Sequence, residues 1–566
     1  MNINGKAKAE NTYDAIVVGS GMSGGWAAKE LCEKGLKTLV LERGRDVRHI
    51  KDYPTATKDP WELPHRNMLT EEDLENYPIQ SKVYHFGEDS KHFFVKDTEH
   101  VYEQVKPFQW NRGYQVGGRS LLWSRHTFRL SDLDFEANLK EGIGIDWAIR
   151  YKDIAPWYDY VERFIGVSGK NEGLPHLPDG QFMPPFEMNC VEKHLKKSIE
   201  SNFKNRYLIE SRTAVLTQPH NGRGKCLSRN LCHRGCPYGA YFSSNSSTLP
   251  AAYKTGNLTL RPHSVVQKII WDKEKQKAVG VTVIDSETMK TYDFYAKVIF
   301  LNASALASTQ IMLQSKSDRF PNGFANSSGV LGHYLMDHHA SAGANAGWTG
   351  FQDQYYSGQR STSVYIPRFQ NLRGQDRDYR RGFAYEVYVQ RGDWTRGYGS
   401  PGIGADWKDA LSEAGEWSVF MEAYGESLPE YKNRVYLSET KKDRWGLPVL
   451  CIEMEYGANE KAMRREMAAA AVEMLKSAKA DWVSEFDNPP VPGSVIHEMG
   501  TARMGSDPKT SVLNKFNQCH EAPNVFVTDG ACMASSANQN PSLTYMALTA
   551  RACDYAVHQL KNGNIN

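Results

Sequence analysis

YDAIVVGSGMSGGWAAKELCEKGLKTLVLERG, residues 13–44, decides the fold. Ala15-Ile16-Val17-Val18 is a short, β-rich apolar run, the pattern of a strand buried on both faces in a parallel sheet. Gly19, Gly21 and Gly24 follow as G-x-G-x-x-G, and a helical pattern runs from about Met22 to Lys34. Thr38-Leu39-Val40-Leu41 reads as a second buried strand, ending on Glu42. Gly19 permits a tight turn, Gly21 lets backbone approach a pyrophosphate, and Gly24 lets helix and strand pack closely. The helix N-terminus faces the phosphate charge. Glu42 can accept from a ribose hydroxyl. A lone glycine motif is weak, but strand, helix and acid in register make a dinucleotide site. The motif does not separate NAD from FAD; Glu42 argues only against a 2′-phosphate.

Outward from this unit, the composition sets bounds. At 566 residues the chain exceeds one core and implies two or more domains. With 40% hydrophobic and 24% charged residues it has an ordinary globular balance, and a net charge of +2 offers no argument for nucleic acid or a membrane surface. No apolar run reaches the length of a spanning helix. MNINGKAKAENTYD lacks an apolar export region, so export is expected to need a partner.

Residues 45–100 are polar, rich in Pro, His and Tyr, and poorly periodic: an excursion over the nucleotide or a partner surface. NRGYQVGGRSLLWSRH, residues 111–126, places Gly117 and Gly118 ahead of Ser120, as for a second close approach to a ligand. DIAPWYDYVERFIGV, residues 153–167, is an amphipathic helix with Pro156 in its first turn; its aromatics Trp157, Tyr158 and Phe164 read as core. SVVQKIIWD and AVGVTVID form a hairpin, and YAKVIFLNAS reads as another parallel strand before a helix. TSVYIPRF, GFAYEVYV and EWSVFMEAYG predict an antiparallel sheet in the middle of the chain. AMRREMAAAAVEMLKSA, residues 462–478, is a helix by pattern and propensity. The last part carries SVIHEMGTARMGSDP, the strand NVFVTDGACM, and NQNPSLT before a final helix. The expected organisation is a Rossmann-like α/β domain from residues 11–320 and 489–566, interleaved with an antiparallel-sheet substrate domain at 321–488.

Nine cysteines do not make a disulfide framework, but Cys226, Cys232 and Cys236 cluster as C-x5-C-x3-C within residues 219–245, with Pro237 directly after. Crowded thiolates on a Gly/Pro loop suit an iron–sulfur cluster, or zinc with His233 as fourth ligand, or are plain thiols. Ligand type alone leaves these three open.

Taken together, VVGSGMSGG…LVLERG, GGRSLLW, NASALASTQ, HEMGTARMG, VFVTDG and NQNPSLT resemble the glucose–methanol–choline flavoprotein oxidoreductases over nearly the whole chain. That resemblance implies FAD and oxidation of an alcohol, with the hydride passing to the flavin. Matched by motif, it assigns His497 and Asn540 to catalysis. It assigns Gly19, Gly21, Met22, Ser23, Gly24, Glu42, Arg43, Gly117, Gly118, Ser120, Val266, Ala303, Asp529, Gly530, Asn540, Pro541 and Thr544 to the cofactor. Leu122 stands where some relatives attach FAD through a histidine, and His126 is out of register with that position, so FAD is expected to be noncovalent. His338 and His339 read as structural, with substrate contact open. The cysteine spacing is similar to that of the cluster-bearing bacterial sugar dehydrogenases, which implies a [3Fe-4S] cluster on Cys226, Cys232 and Cys236. Within that branch the whole-chain likeness points to enzymes oxidising C3 of glucosides, with gluconate and polyol dehydrogenases as neighbours. A small accessory subunit bearing the export signal, a cytochrome c acceptor and a periplasmic location follow as expectations, with a cytoplasmic location expected if there is no such partner; membrane contact would come only through a partner. An oxygen-using oxidase and a non-redox lyase are the readings of other class.

Overall fold

A computed structural model describes residues 11–352, 354, 362–392, 396 and 402–565. The start of the chain, from which a missing export region was read, lies mainly outside the described residues.

The strand Thr12–Val18 is central, with Thr38–Leu41 and then Leu258–Arg261 on one side, and Thr291–Leu301 and then Ala522–Val527 on the other. All five run parallel. A hairpin, Ser264–Asp272 with Lys277–Asp285, attaches antiparallel to the start of Thr291–Leu301, as its sequence predicted. Both faces are covered, one by helices and the other in a cluster that includes Val266, Val281 and Val283 of the hairpin, which is why these strands read as unbroken apolar runs. The helices Met22–Glu33 and Ser542–Lys561 pack together on one face. The helix Tyr151–Ile165 begins two residues earlier than expected, because Asp153 accepts the Arg150 N–H and caps it; Pro156 therefore sits in the second turn. Tyr158 is fully buried, while Trp157 and Phe164 pack at the margin of the core.

A second, six-stranded sheet is antiparallel throughout, in the order Trp482–Asp487, Ala342–Trp348, Trp417–Gly425, Phe383–Arg391, Val364–Ile366, Ile209–Glu210. Its edge strand Ile209–Glu210 and the helix Cys190–Asn202 beneath it come from the stretch assigned to the first domain. That helix and Ala458–Ser477 cover one face through Leu195, Ile199, Met463, Met467 and Met474. The alternate residues of the strands, polar and aromatic, face the other way. The fold is thus mixed α/β, with the polar face of the second sheet turned toward the carboxyl ends of the parallel strands.

Residues 45–99 form short helical turns. Val47, Tyr53, Val83 and Phe93 pack against Leu121 and Leu122, and Asp89 binds His233 and Arg234 of the cysteine loop. The excursion is a cover over the first domain. No described helix is long and apolar enough to cross a membrane.

Candidate active site

Gly19 turns at φ +97°, and a Cβ there would lie 2.3 Å from the Asn302 carbonyl oxygen. At Gly24 a Cβ would lie 2.1 Å from the Gly19 carbonyl oxygen. These are the tight turn and the close helix–strand contact expected of the motif. Gly21 is different. A Cβ there would meet nothing closer than the Gly117 carbonyl at 3.9 Å, so its backbone is open to the space beyond. No side chain caps the helix that starts at Met22, and its first-turn N–H groups are left for an anion.

That space is a cavity of about 2300 Å³ between the two sheets. Gly19, Gly21, Met22, Ser23, Glu42, Arg43, Gly118, Ser120, Val266, Ala303, Asp529, Gly530, Asn540 and Pro541 line it, together with His497. Gly24, Gly117 and Thr544 do not. Gly24 is spent on packing, and Gly117 turns at φ +90° with Asn245 where a side chain would go. The Thr544 hydroxyl is taken by Tyr158 at 2.8 Å. Glu42 accepts from the Ser20 N–H at 3.2 Å, the Ser20 hydroxyl at 2.5 Å and the Gly44 N–H at 2.9 Å. A carboxylate has about four acceptor sites, so Glu42 mainly holds the glycine turn, with little capacity left for a ribose. Burial pushes its pKa up against those hydrogen bonds.

His497 sits on the cavity wall, and the residues that place it come from an adjacent pair. Asp337 accepts the backbone N–H groups of Gly493 at 2.8 Å, Val495 at 3.3 Å and His497 at 2.9 Å. Burial, with Glu498 nearby, pushes Asp337 up to about 7. His338 Nδ1 lies 2.9 Å from His497 Nδ1, and its Nε2 lies 2.8 Å from the Ala537 carbonyl oxygen. A carbonyl only accepts, so His338 Nε2 carries the proton and donates. Burial pushes His338 down to about 4, so it is neutral near pH 7 and its Nδ1 is an acceptor. His497 Nδ1–H must then donate to it, which leaves the Nε2 lone pair of His497 unprotonated. Burial, then His338, Arg119 and His126, hold His497 well below the ordinary histidine value. The ring is a neutral base with a defined tautomer. Sequence reasoning had His338 as structural; the signal was Asp337-His338-His339 standing together in an otherwise apolar stretch.

Asn540 donates through Nδ2 to Glu386 at 3.2 Å. The carboxylate is acceptor-only, which fixes which end of the amide faces it and leaves the second N–H of Nδ2 for a ligand. Glu386 is also bonded by Tyr388 at 2.8 Å and lies 3.1 Å from His126 Nε2. Burial pushes Glu386 up, but His126 and these hydrogen bonds outweigh it and the net pKa is lowered. Glu386 was missed, although an acid in the middle of GFAYEVYV was its mark. Arg119 holds Glu498, the neighbour of His497, with paired contacts at 3.1 and 2.7 Å.

Cys226, Cys232 and Cys236 are half-buried free thiols. Cys226 accepts the Ser228 N–H at 3.3 Å and Cys236 the Ala240 N–H at 3.4 Å. His233 is engaged by Asp89 at 2.8 Å. Among the described residues no three Cys, His, Asp or Glu side chains form a metal-holding group. The geometry therefore lends neither the expected [3Fe-4S] cluster nor the zinc alternative support. Residues 227–233 of this loop do line the cavity.

FAD fits the residues present. The open Gly21 backbone and uncapped helix suit a pyrophosphate, and the buried Tyr545 hydroxyl beside Gly530 has no hydrogen-bond partner among the described residues. Two family models for GMC oxidoreductases match the chain, one over residues 13–340 and one over residues 429–549. The chain is a GMC oxidoreductase. This family member is 29% identical to 2-methyl-1,2-propanediol dehydrogenase of Mycolicibacterium austroafricanum, over 96% of this chain and 94% of that one. It is 26% identical to the fructose dehydrogenase large subunit of Gluconobacter japonicus, over 97% and 98%. The crystal structure of pyridoxine 4-oxidase from Mesorbium loti shares the fold, with TM-score 0.60 at 15% identity, covering 96% of this chain and 99% of that one.

Proposed function

We propose that this GMC oxidoreductase is an FAD-dependent dehydrogenase that oxidises a secondary alcohol of a sugar or glycoside. The observation that carries this is the neutral His497 imidazole, whose proton-free Nε2 is fixed by His338 on a polar cavity wall. FAD bound in the cavity supplies an acceptor for the C–H hydride. The protein's own part is proton handling and alignment. His497 Nε2 takes the hydroxyl proton, and Asn540 donates its second N–H to the same oxygen, holding the alcohol in line and stabilising alkoxide charge as it develops. Glu386 keeps the amide turned that way. Asp337 keeps the backbone of residues 493–497 in place.

The likeness to a fructose dehydrogenase subunit and a diol dehydrogenase supports a polyhydroxyl substrate. The finer form of the proposal sets oxidation at C3 of a glucoside, in the periplasm, with a small accessory subunit and a cytochrome c acceptor; that one relative is itself a large subunit supports a partner. No electron path is drawn through the three cysteines. Iron and acid-labile sulfide per chain, in wild type and Cys232→Ser, test that loop by itself.

Anaerobic flavin bleaching against glucosides, aldonic acids and polyols, followed by product NMR, tests the assignment. Bleaching by a glucoside with a keto product is the expected result. Peroxide formed on turnover in air would make the chain an oxidase, and turnover with unreduced flavin a lyase.

A further inference from the structure

The second sheet presents aromatic side chains to the cavity, one of them on the strand that pairs with the one carrying Glu386. Trp482 and Phe420 both line the cavity and remain 43% and 38% exposed. Phe420 is stacked on Phe486, with ring centres 5.3 Å apart and planes 7° from parallel. The strand between them, Ala342–Trp348, has glycines opposite Phe486 and Trp482. A Cβ at Gly347 would lie 2.3 Å from Trp482 Nε1, and one at Gly343 would lie 3.0 Å from Phe486 Cζ. At Gly343 the Met421 carbonyl, 2.0 Å from the Cβ position, already excludes a side chain, whereas Gly347 is a strand-weakening glycine that leaves room for the Trp482 ring.

Phe420 is in register with the chemistry. Glu422 pairs directly across from Glu386, which holds Asn540. Phe420 is two residues along the same strand and on the same face, a step of about 6.8 Å. Asn345 pairs with Phe420 from the neighbouring strand, and Gln390 also borders the cavity. A flat apolar surface edged by side-chain amides matches a pyranose ring, which has an apolar C–H face and a rim of hydroxyls.

We propose that Phe420 and Trp482 form a subsite for the second pyranose ring of a disaccharide whose first ring is oxidised at His497. The subsite rests on the reading of the chain as a sugar dehydrogenase. Aromatic side chains that merely cover strand glycines would need no outer face left open inside the cavity.

The test has two arms. In the first, anaerobic flavin reduction gives kcat/KM for cellobiose and maltose relative to methyl glucosides. Phe420→Ala and Trp482→Ala should each lower that ratio about tenfold, the effect of uncovering one ring face, and Trp482→Phe should restore most of it. An unchanged ratio overturns the subsite while leaving sugar oxidation standing. The second arm needs no turnover. Calorimetry on FAD-loaded His497→Ala should show cellobiose binding tighter than glucose, with the preference lost in His497→Ala/Trp482→Ala. Equal binding of the two sugars by FAD-loaded His497→Ala overturns the subsite even if no sugar is ever oxidised. Absence of flavin reduction by every sugar, with the cellobiose preference intact, would instead strike the proposed reaction.

Discussion

Replacing His338 by leucine should slow flavin reduction by about 10- to 100-fold, although His338 need not touch substrate. The magnitude follows from its two bonds. In wild type, His338 accepts from His497 Nδ1 at 2.9 Å and donates to the Ala537 carbonyl at 2.8 Å. Losing the first frees the His497 tautomer and leaves its buried Nδ1 without a partner, worth about 1–3 kcal/mol. At about 1.4 kcal/mol per factor of ten, that is one to two orders of magnitude in rate. The pH profile gives a second readout. A depressed His497 pKa keeps the base form populated down to its folded value, so activity is full above that value and lost as pH falls through it. The wild-type acid limb should therefore lie below pH 6.5. His338 is one of the groups pushing His497 down, so His338→Leu should move that limb upward. Stopped-flow flavin reduction from pH 4.5 to 8 reads both effects, with the FAD content of each variant measured in parallel. His338→Gln, which can accept and donate at once, should recover part of the rate. A rate within twofold of wild type, with an unmoved acid limb, would refute the tautomer reasoning. A slow variant with an unmoved limb and no recovery in the glutamine form would reduce His338 to a structural role.

His497→Ala should cut flavin reduction at least about 100-fold with FAD retained, as loss of a general base requires; near-normal reduction would remove it from the mechanism. Glu386→Leu should both lower stability by about 1–3 kcal/mol in urea unfolding, because the donors of Tyr388 and Asn540 lose their acceptor, and slow reduction about tenfold by releasing Asn540. Gly24→Ala should cost about 1–3 kcal/mol and lower FAD occupancy, since its methyl meets the Gly19 carbonyl at 2.1 Å. Unchanged flavin absorbance per chain in that variant would contradict the close packing described.

The parallel unit was legible because its signals are local. Residues 13–44 contain strand, turn, helix and strand in one run, and the late strand ending in Asn302 and the hairpin before it follow simple periodicity. His497 and Asn540 were legible only through motif resemblance. The parts that tune them were not, since they are pairings at long range: His338 reaches His497 across 159 positions and Glu386 reaches Asn540 across 154. An acid within an apolar strand announces a buried partner without saying which. The cysteine cluster is the opposite case: its spacing in sequence is close, while among the described residues no three such side chains form a metal-holding group. Thr544 keeps its motif position, but the pairing of its hydroxyl with Tyr158 is another long-range contact with no local mark.

The order of strands in the parallel sheet governs how this chain can be made. Thr12–Val18 waits for Thr291–Leu301 on one flank, and that strand waits for Ala522–Val527. A nascent chain cannot complete the sheet until residue 527 has left the ribosome, so the other flank of Thr12–Val18 stays unpaired while the whole intervening stretch is made. Truncations ending before residue 522 should emerge as chaperone clients unable to retain flavin, and expression should reward slower synthesis and lower temperature more than added cofactor.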